Sequence, residues 1–98
     1  MNFESILSAI QERAATASAL GSKLKFSLGD QQIMIDGTGE NNVVSTTDGE
    51  ADCTVTVTPE DLGALMRGDL NPVMAFMSGK IKVKGDMGVA MKLQSLVK

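Results

Sequence analysis

The chain lacks histidine, tryptophan and tyrosine, and Cys53 is its only cysteine. Histidine is the side chain that most often serves as a general base or a metal ligand near neutral pH, so its absence removes the commonest basis for both roles. A single cysteine excludes an internal disulfide bond and a metal site built from a cluster of cysteines. We therefore expect no catalytic residue, no bound metal and no cofactor, and we predict that the protein is not an enzyme.

Long apolar runs and targeting segments are also missing. No apolar run approaches the length of about 20 residues that a membrane-spanning helix needs. The N-terminal residues include Glu4 and no basic cluster, so they do not resemble a secretory signal. With 98 residues, 43% hydrophobic and 21% charged, the chain has the length and composition of one globular domain over residues 1–98.

Acidic and basic residues are distributed unevenly along the chain. Residues 1–69 contain eleven acidic and four basic residues, a net charge of −7, whereas residues 70–98 contain five lysines and one acid, a net charge of +4. The total charge of −3 argues against a nucleic-acid partner, which usually requires a basic surface. One end of the fold is expected to be locally basic.

Hydrophobic periodicity and turn residues predict an α+β fold. The predicted elements, in chain order, are a helix over 2–19, strands over 23–28, 33–35, 43–47 and 52–58, helices over 62–67 and 72–78, a strand over 80–84 and a final helix from residue 86 onwards. Thr58, Asn71 and Asp86 suit the N-terminal caps of the last three helices. Four strands joined by short turns, with a hairpin signal at Asp48 and Gly49, predict an antiparallel meander.

The last two predicted helices carry more apolar residues than a small sheet can cover. The final helix places apolar side chains over more than half of its circumference, whereas a surface helix normally shows a narrower apolar stripe. Three interpretations remain open: the helices pack on each other, they form a dimer or partner interface, or their methionines line an apolar ligand cavity. Periodicity alone does not distinguish these interpretations.

The C-terminal half resembles a known family in several ordered motifs. These motifs are Ala-Asp-Cys-Thr at 51–54, Gly-Asp-Leu-Asn-Pro at 68–72, Ala-Phe-Met-Ser-Gly-Lys at 75–80, Lys-Gly-Asp-Met-Gly at 84–88 and Lys-Leu-Gln at 92–94. On these residues the chain resembles the sterol carrier protein type 2 family, which is a nonspecific lipid-transfer family. The N-terminal half matches that family in the order of its elements more than in its residues.

The resemblance implies both a fold and a function. The implied fold is a five-stranded, mainly antiparallel sheet that is covered on one face by helices, with an apolar tunnel between them. The implied function is noncatalytic binding and transfer of fatty acid, fatty acyl-CoA, phospholipid or sterol, with an acyl chain as the expected ligand. By position, the implied tunnel wall consists of Leu65, Met66, Phe76, Met77, Met87, Val89, Met91 and Leu93. Lys84, beside a helix N-terminus, is a candidate contact for the lipid headgroup.

Two family features are missing from this chain, and their absence bears on the kind of organism and the cellular location that we expect. The chain ends in Leu96, Val97 and Lys98 rather than in a peroxisomal tripeptide of the Ser-Lys-Leu kind, and it lacks the longer basic N-terminal extension. This pattern is typical of a free-standing prokaryotic member in the cytoplasm. We expect a monomer or weak homodimer that contacts membrane surfaces transiently.

Two further features and one alternative function complete the analysis. Lys80, Lys82 and Lys84 alternate along their strand, and they form either a solvated edge or a patch for anionic membranes or coenzyme phosphates. Cys53 lies on the apolar side of its strand, where we predict that it is buried and inert. The alternative function is a protein–protein interaction or dimerisation module that uses the apolar C-terminal helix.

Overall fold

The structure is a computed structural model that describes residues 2–92 and residue 96. Its elements, in chain order, are α1 (Phe3–Thr16), β1 (Lys23–Ser27), β2 (Gln32–Asp36), β3 (Val43–Ser45), β4 (Cys53–Thr56), α2 (Pro59–Arg67), α3 (Pro72–Met77), β5 (Lys82–Gly85) and α4 (Met87–Met91). The α+β class and the order of the elements predicted from the sequence are confirmed. None of the described helices has both the length and the apolar character needed to cross a membrane.

The strands form one mixed, five-stranded sheet in the order β3-β2-β1-β4-β5. β2 pairs antiparallel with β1 and β3, and β5 pairs antiparallel with β4. β1 pairs with β4 in parallel. The predicted antiparallel meander is therefore wrong at one step, because β4 lies beside β1 instead of forming a hairpin with β3.

The segment between β3 and β4 crosses the sheet on the face away from the helices. Lys25 Nζ of β1 donates to Asp48 Oδ1 (3.1 Å) and to the carbonyl of Gly49 (2.9 Å). Gln32 Nε2 of β2 donates to the carbonyl of Thr46 (2.7 Å). These contacts hold the turn residues against β1 and β2, so the dipeptide that indicated a hairpin belongs to a crossover connection.

The helix-covered face of the sheet carries the apolar side chains. Alternate residues of a strand point to opposite faces, and in β1 Leu24 and Phe26 are fully buried while Lys23 is exposed. The predicted burial of Cys53 is confirmed. The largest fully buried side chains are Phe26, Ile6, Ile10, Leu24, Ile33, Ile35, Leu62, Leu96, Val55 and Cys53. Burial of one large apolar side chain stabilises a fold by about 1.5–3 kcal/mol, so packing of the helices on this face stabilises the fold.

The first helix ends at Thr16, three residues before the end that its periodicity predicted. Asn42 explains the difference, because its side chain bonds to the chain that leaves the helix. Its Oδ1 accepts a hydrogen bond from the backbone N–H of Leu20 (3.0 Å), and its Nδ2 donates to the carbonyls of Ala14 (3.2 Å) and Ser18 (3.1 Å). The amide thereby satisfies carbonyl groups that the end of a helix leaves without partners.

The predicted N-terminal caps of the last three helices are confirmed. The hydroxyl of Thr58 accepts a hydrogen bond from the backbone N–H of Asp61 (3.1 Å). The side chains of Asn71 and Asp86 accept in the same way from the first turns of α3 and α4. These bonds satisfy N–H groups that have no partner inside the helix. The caps fix where α3 and α4 begin, and these two helices flank β5 in the chain.

Candidate functional site

An apolar groove lies between α3, β5 and α4. It is lined by Pro72, Val73, Phe76, Ile81, Val83, Met87, Ala90 and Met91. Its volume is about 190 Å³, and it is partly open to solvent. Every lining residue that the structure describes has an apolar side chain, so the groove offers van der Waals contact rather than hydrogen bonds to an occupant.

The groove forms because β5 is the edge strand of the sheet. Val83 of β5 pairs with Val55 of β4, but Val83 is half-buried whereas Val55 is fully buried. Ile81 is buried at the same edge. Within the described residues, α3 adds only Ala75 to the buried core. The helix therefore leaves the apolar edge of the sheet partly uncovered.

Large apolar side chains around this groove are exposed. Those on α3 and α4 are Val73, Met74, Phe76, Met77, Met87 and Met91. In the described part of the chain, the other large apolar side chain with comparable exposure is Val43, on the strand at the opposite edge of the sheet. A concentration of exposed apolar side chains on a small protein marks a site for a ligand, a partner or a membrane.

The residues that the family resemblance implied as the tunnel wall lie in different environments in the structure. Three of them line the groove: Phe76, Met87 and Met91. Three are buried in the core: Leu65, Met66 and Val89. Met77 is 77% exposed and does not line the groove. Leu93 lies outside the described residues.

The sequence analysis missed several residues of the groove. These are Pro72, Val73, Ile81, Val83 and Ala90. Ile81 and Val83 alternate with polar residues, and that pattern predicts only that they face a core. The alternating lysines could have indicated that Ile81 and Val83 border a groove. Exposed lysines are typical of an edge strand, and the apolar face of an edge strand is less completely covered.

Lys80, Lys82 and Lys84 are exposed beside the groove. Lys82 and Lys84 belong to the edge strand, which agrees with the interpretation of these residues as a solvated edge. They alternate with Val83 along the strand, so their side chains leave the face opposite to the groove. The structure therefore places Lys84 at the rim of the sheet rather than inside the groove.

The described residues form no arrangement that indicates catalysis. Burial, with a smaller contribution from the charge of Asp86, raises the pKa of the Cys53 thiol and disfavours the reactive thiolate. Glu60 and Asp61 lie in the first turn of α2, where acidic side chains stabilise the positive end of a helix. In the described part of the chain, no three His, Cys, Asp or Glu residues are grouped closely enough to hold a metal ion.

A wider and more polar hollow lies near the C-terminal end of α1. Its volume is about 450 Å³, and it is lined by Arg13, Thr16, Ala17, Ser18, Ala19, Leu20 and Lys92. Arg13 donates to the carbonyls of Met66 (2.9 Å) and Leu96 (3.3 Å), and Lys92 Nζ donates to the carbonyl of Leu20 (2.5 Å). Both cations thus join distant segments of the fold. Because these bonds give the two cations a structural role, the apolar groove is the stronger candidate for a ligand site.

Comparison with known sequences identifies one family. The chain matches the SCP-2 sterol transfer family over residues 3–98. Sterol carrier protein 2 from Rattus norvegicus is 53% identical over 58 residues, which cover 59% of this chain and 11% of that protein. The chain therefore spans a small part of the length of the curated relatives that it matches.

Solved structures share the fold over nearly the whole chain. The crystal structure of Sterol Carrier Protein 2 Like 2 from Aedes aegypti has a TM-score of 0.73 and 25% identity, and the match covers 93% of this chain and 92% of that chain. The solution structure of the palmitated form from Aedes aegypti has a TM-score of 0.73 and 25% identity, with coverage of 99% and 95%. The five-stranded α+β architecture is therefore a known one.

Proposed function

The chain belongs to the SCP-2 sterol transfer family, and we propose that it binds lipid without catalysis in the groove between α3, β5 and α4. The observation that carries this proposal is the lining of the groove, which is apolar at every described position. Removing apolar ligand surface from water contributes about 25 cal/mol per Å², so such a lining favours an apolar occupant. We propose Phe76, Met87 and Met91 as wall residues, together with the neighbouring positions that complete the groove.

The groove in its present form holds only part of a long acyl chain. Its volume of about 190 Å³ equals about six water-sized volumes of about 30 Å³, so it accommodates about six methylene groups. At about 0.8 kcal/mol per methylene group, their burial contributes about 5 kcal/mol. Association itself costs about 4–15 kcal/mol. Useful affinity for a long chain therefore requires a deeper cavity.

Displacement of α3 is the simplest way to deepen the cavity. Of the six residues of this helix, Ala75 is the one that the structure shows buried, so moving the helix exposes little of the core. The methionines beside it are flexible and adapt to irregular shapes. We propose that an entering acyl chain moves α3 outward and converts the groove into an apolar tunnel. Implied wall residues that are now buried, such as Val89, contact ligand only in that state.

An acyl chain is the ligand class that fits this groove best. It is narrow and flexible, whereas the fused rings of a sterol are rigid and need a wider cavity. The palmitated form of the Aedes aegypti protein supports a fatty acid. The polar end of a fatty acid, an acyl-CoA or a phospholipid would leave the groove at the edge of the sheet, where we propose Lys84 as the headgroup contact. We further propose a cytoplasmic location and transient contact with membranes, through which lipid is transferred.

The methionine methyl groups offer a direct test of the site. We would label them with carbon-13 and titrate the protein with a long-chain fatty acid while recording NMR spectra. The Met87 and Met91 signals should shift, because both residues line the groove. The signal of Met34, which is buried in β2 near the crossover segment, should stay in place and serves as the control. Unchanged signals from Met87 and Met91 at saturating fatty acid would contradict the proposal.

A further inference from the structure

The methionines of the protein fall into a buried set and an exposed set. Met34 and Met66 are buried, with exposed fractions of 8% and 6%. The other methionines in the described part of the chain lie on α3 and α4, and each is at least half exposed: Met74, Met77, Met87 and Met91. An oxidant has to reach the sulfur atom of a methionine in order to react with it. A mild peroxide should therefore oxidise the methionines of these two helices before those of the core.

Two of the four exposed methionines line the apolar groove. These are Met87 and Met91, whereas Met74 and Met77 lie outside its lining. Met87 and Met91 are four residues apart on α4, so they lie on the same face of that helix, one turn apart. The same two thioethers are thus exposed to an oxidant in the free protein and covered when a ligand binds in the groove.

Oxidation by a hydroperoxide would change the chemistry of this lining. The sulfur lone pair of a methionine attacks the terminal peroxide oxygen, so an S–O bond forms and the O–O bond breaks. The proton of the transferred oxygen passes to the leaving oxygen. Sulfur loses two electrons and becomes a sulfoxide, and the peroxide is reduced to water, or to an alcohol if it is organic. A flexible apolar side chain is thereby converted into a polar one.

A sulfoxide in the groove opposes ligand binding more than it opposes folding. In the free protein, Met87 and Met91 are 51% and 66% exposed, so water can hydrate their S–O groups. An acyl chain in the groove would displace that water. Every lining side chain that the structure describes is apolar, and none of these side chains can donate a hydrogen bond to the sulfoxide in its place. Burial of a polar group without a hydrogen bond is costly, so the oxidised groove should bind apolar ligands weakly.

We propose that Met87 and Met91 are an oxidation site that controls the groove, which binds lipid in the thioether form and releases it in the sulfoxide form. This inference rests on the proposed lipid-binding function, because it concerns regulation of the same groove. The change is reversible, since methionine sulfoxide reductases restore the thioether: the oxygen leaves as water and a dithiol supplies two electrons. Cys53 is the only cysteine of the chain, and its full burial keeps it from competing for the oxidant.

Hydrogen peroxide treatment followed by titration with a fluorescent fatty acid tests the site. Oxidation should weaken the affinity of the parent protein at least about tenfold. The reductases for both sulfoxide epimers, with dithiothreitol as the dithiol, should restore the affinity. Peptide mass spectrometry should find one added oxygen on Met87 and one on Met91 while Met34 stays unmodified. Circular dichroism should be unchanged, and a loss of affinity that accompanies unfolding would overturn the proposal.

Two matched double variants locate the effect. Met87→Leu with Met91→Leu keeps the lining apolar but removes its oxidisable sulfur atoms, so peroxide should leave the affinity of this variant unchanged. Met74→Leu with Met77→Leu removes the two exposed methionines outside the groove, so peroxide should weaken its affinity as much as that of the parent. Each variant is compared with itself before and after peroxide, which makes any difference in starting affinity irrelevant. Equal responses of the two variants would overturn the assignment to the groove.

Protection by ligand separates this inference from the proposed function. Saturating fatty acid should slow the oxidation of Met87 and Met91 but not that of Met74, because binding and oxidation oppose each other reciprocally. An untreated parent protein that binds no fatty acid overturns the proposed function and this inference with it. A parent protein that binds fatty acid and keeps its affinity after both groove methionines are oxidised overturns the inference alone.

Discussion

Replacing Met91 with aspartate should weaken fatty-acid binding at least about thirtyfold. Met91 lines the groove and is 66% exposed without ligand. Burial of a whole methionine side chain is worth about 1.5–3 kcal/mol, so covering the exposed two thirds contributes about 1–2 kcal/mol. The variant loses this contribution, and it also has to desolvate a carboxylate against the ligand, which brings the total loss to at least about 2 kcal/mol.

The assay is a titration with a fluorescent long-chain fatty acid, with the affinity measured for the parent and two variants. Met74→Asp is the matched control, because Met74 is 64% exposed on α3 but does not line the groove. The control should bind the fatty acid as the parent does. Circular dichroism and thermal unfolding establish that both variants are folded. A folded Met91→Asp variant with parental affinity, or equal losses in both variants, would refute the position of the groove.

Three further predictions concern the fold and its titrating groups. Gly85→Ala should lower the free energy of unfolding by at least about 2 kcal/mol, because the backbone φ is +109° and a Cβ would collide with the Asp52 carbonyl, and denaturant titration measures this loss. Cys53 should react with a thiol reagent no faster than the protein unfolds at neutral pH, because its side chain is fully buried, and burial also raises the pKa of the thiol; immediate labelling would show that the thiol is accessible. Hydrogen bonds from Thr38 lower the pKa of Asp36, so their stabilising effect is present at neutral pH and disappears as the carboxylate protonates in acid. Thr38→Ala should therefore raise the pKa of Asp36 in an NMR titration, and an unchanged pKa would contradict this cause.

Local sequence signals predicted the elements better than their pairing. The caps at Thr58 and Asp86 depend on a few neighbouring residues, and the structure has them where the sequence places them. The position of β4 depends instead on pairing with strands that are distant in the sequence, and β4 lies between β1 and β5. The turn residues Asp48 and Gly49 suit a hairpin, but Lys25 holds them in a crossover. A contact between residues so distant in the chain has no local signal.

The sequence predicted an apolar site on the last two helices, but it did not predict which residues line that site. An excess of apolar residues on the last two helices indicated that some of them are not needed for the core. Periodicity does not separate a helix face that packs on the sheet from one that borders a groove. The sequence therefore could not show that Val89 is buried while Met87 and Met91 line the groove. Val83 joins the lining because β5 is the edge strand, and that property follows from the topology of the whole sheet.

Native mass spectrometry of the protein purified without detergent tests the central claim most directly. Extraction and identification of any bound molecule would follow on the same sample. We predict a complex whose excess mass matches a fatty acid or a phospholipid, because the apolar groove gains contacts by retaining such a chain. A protein that is purified without bound lipid and takes up no added fatty acid would contradict lipid binding in this groove.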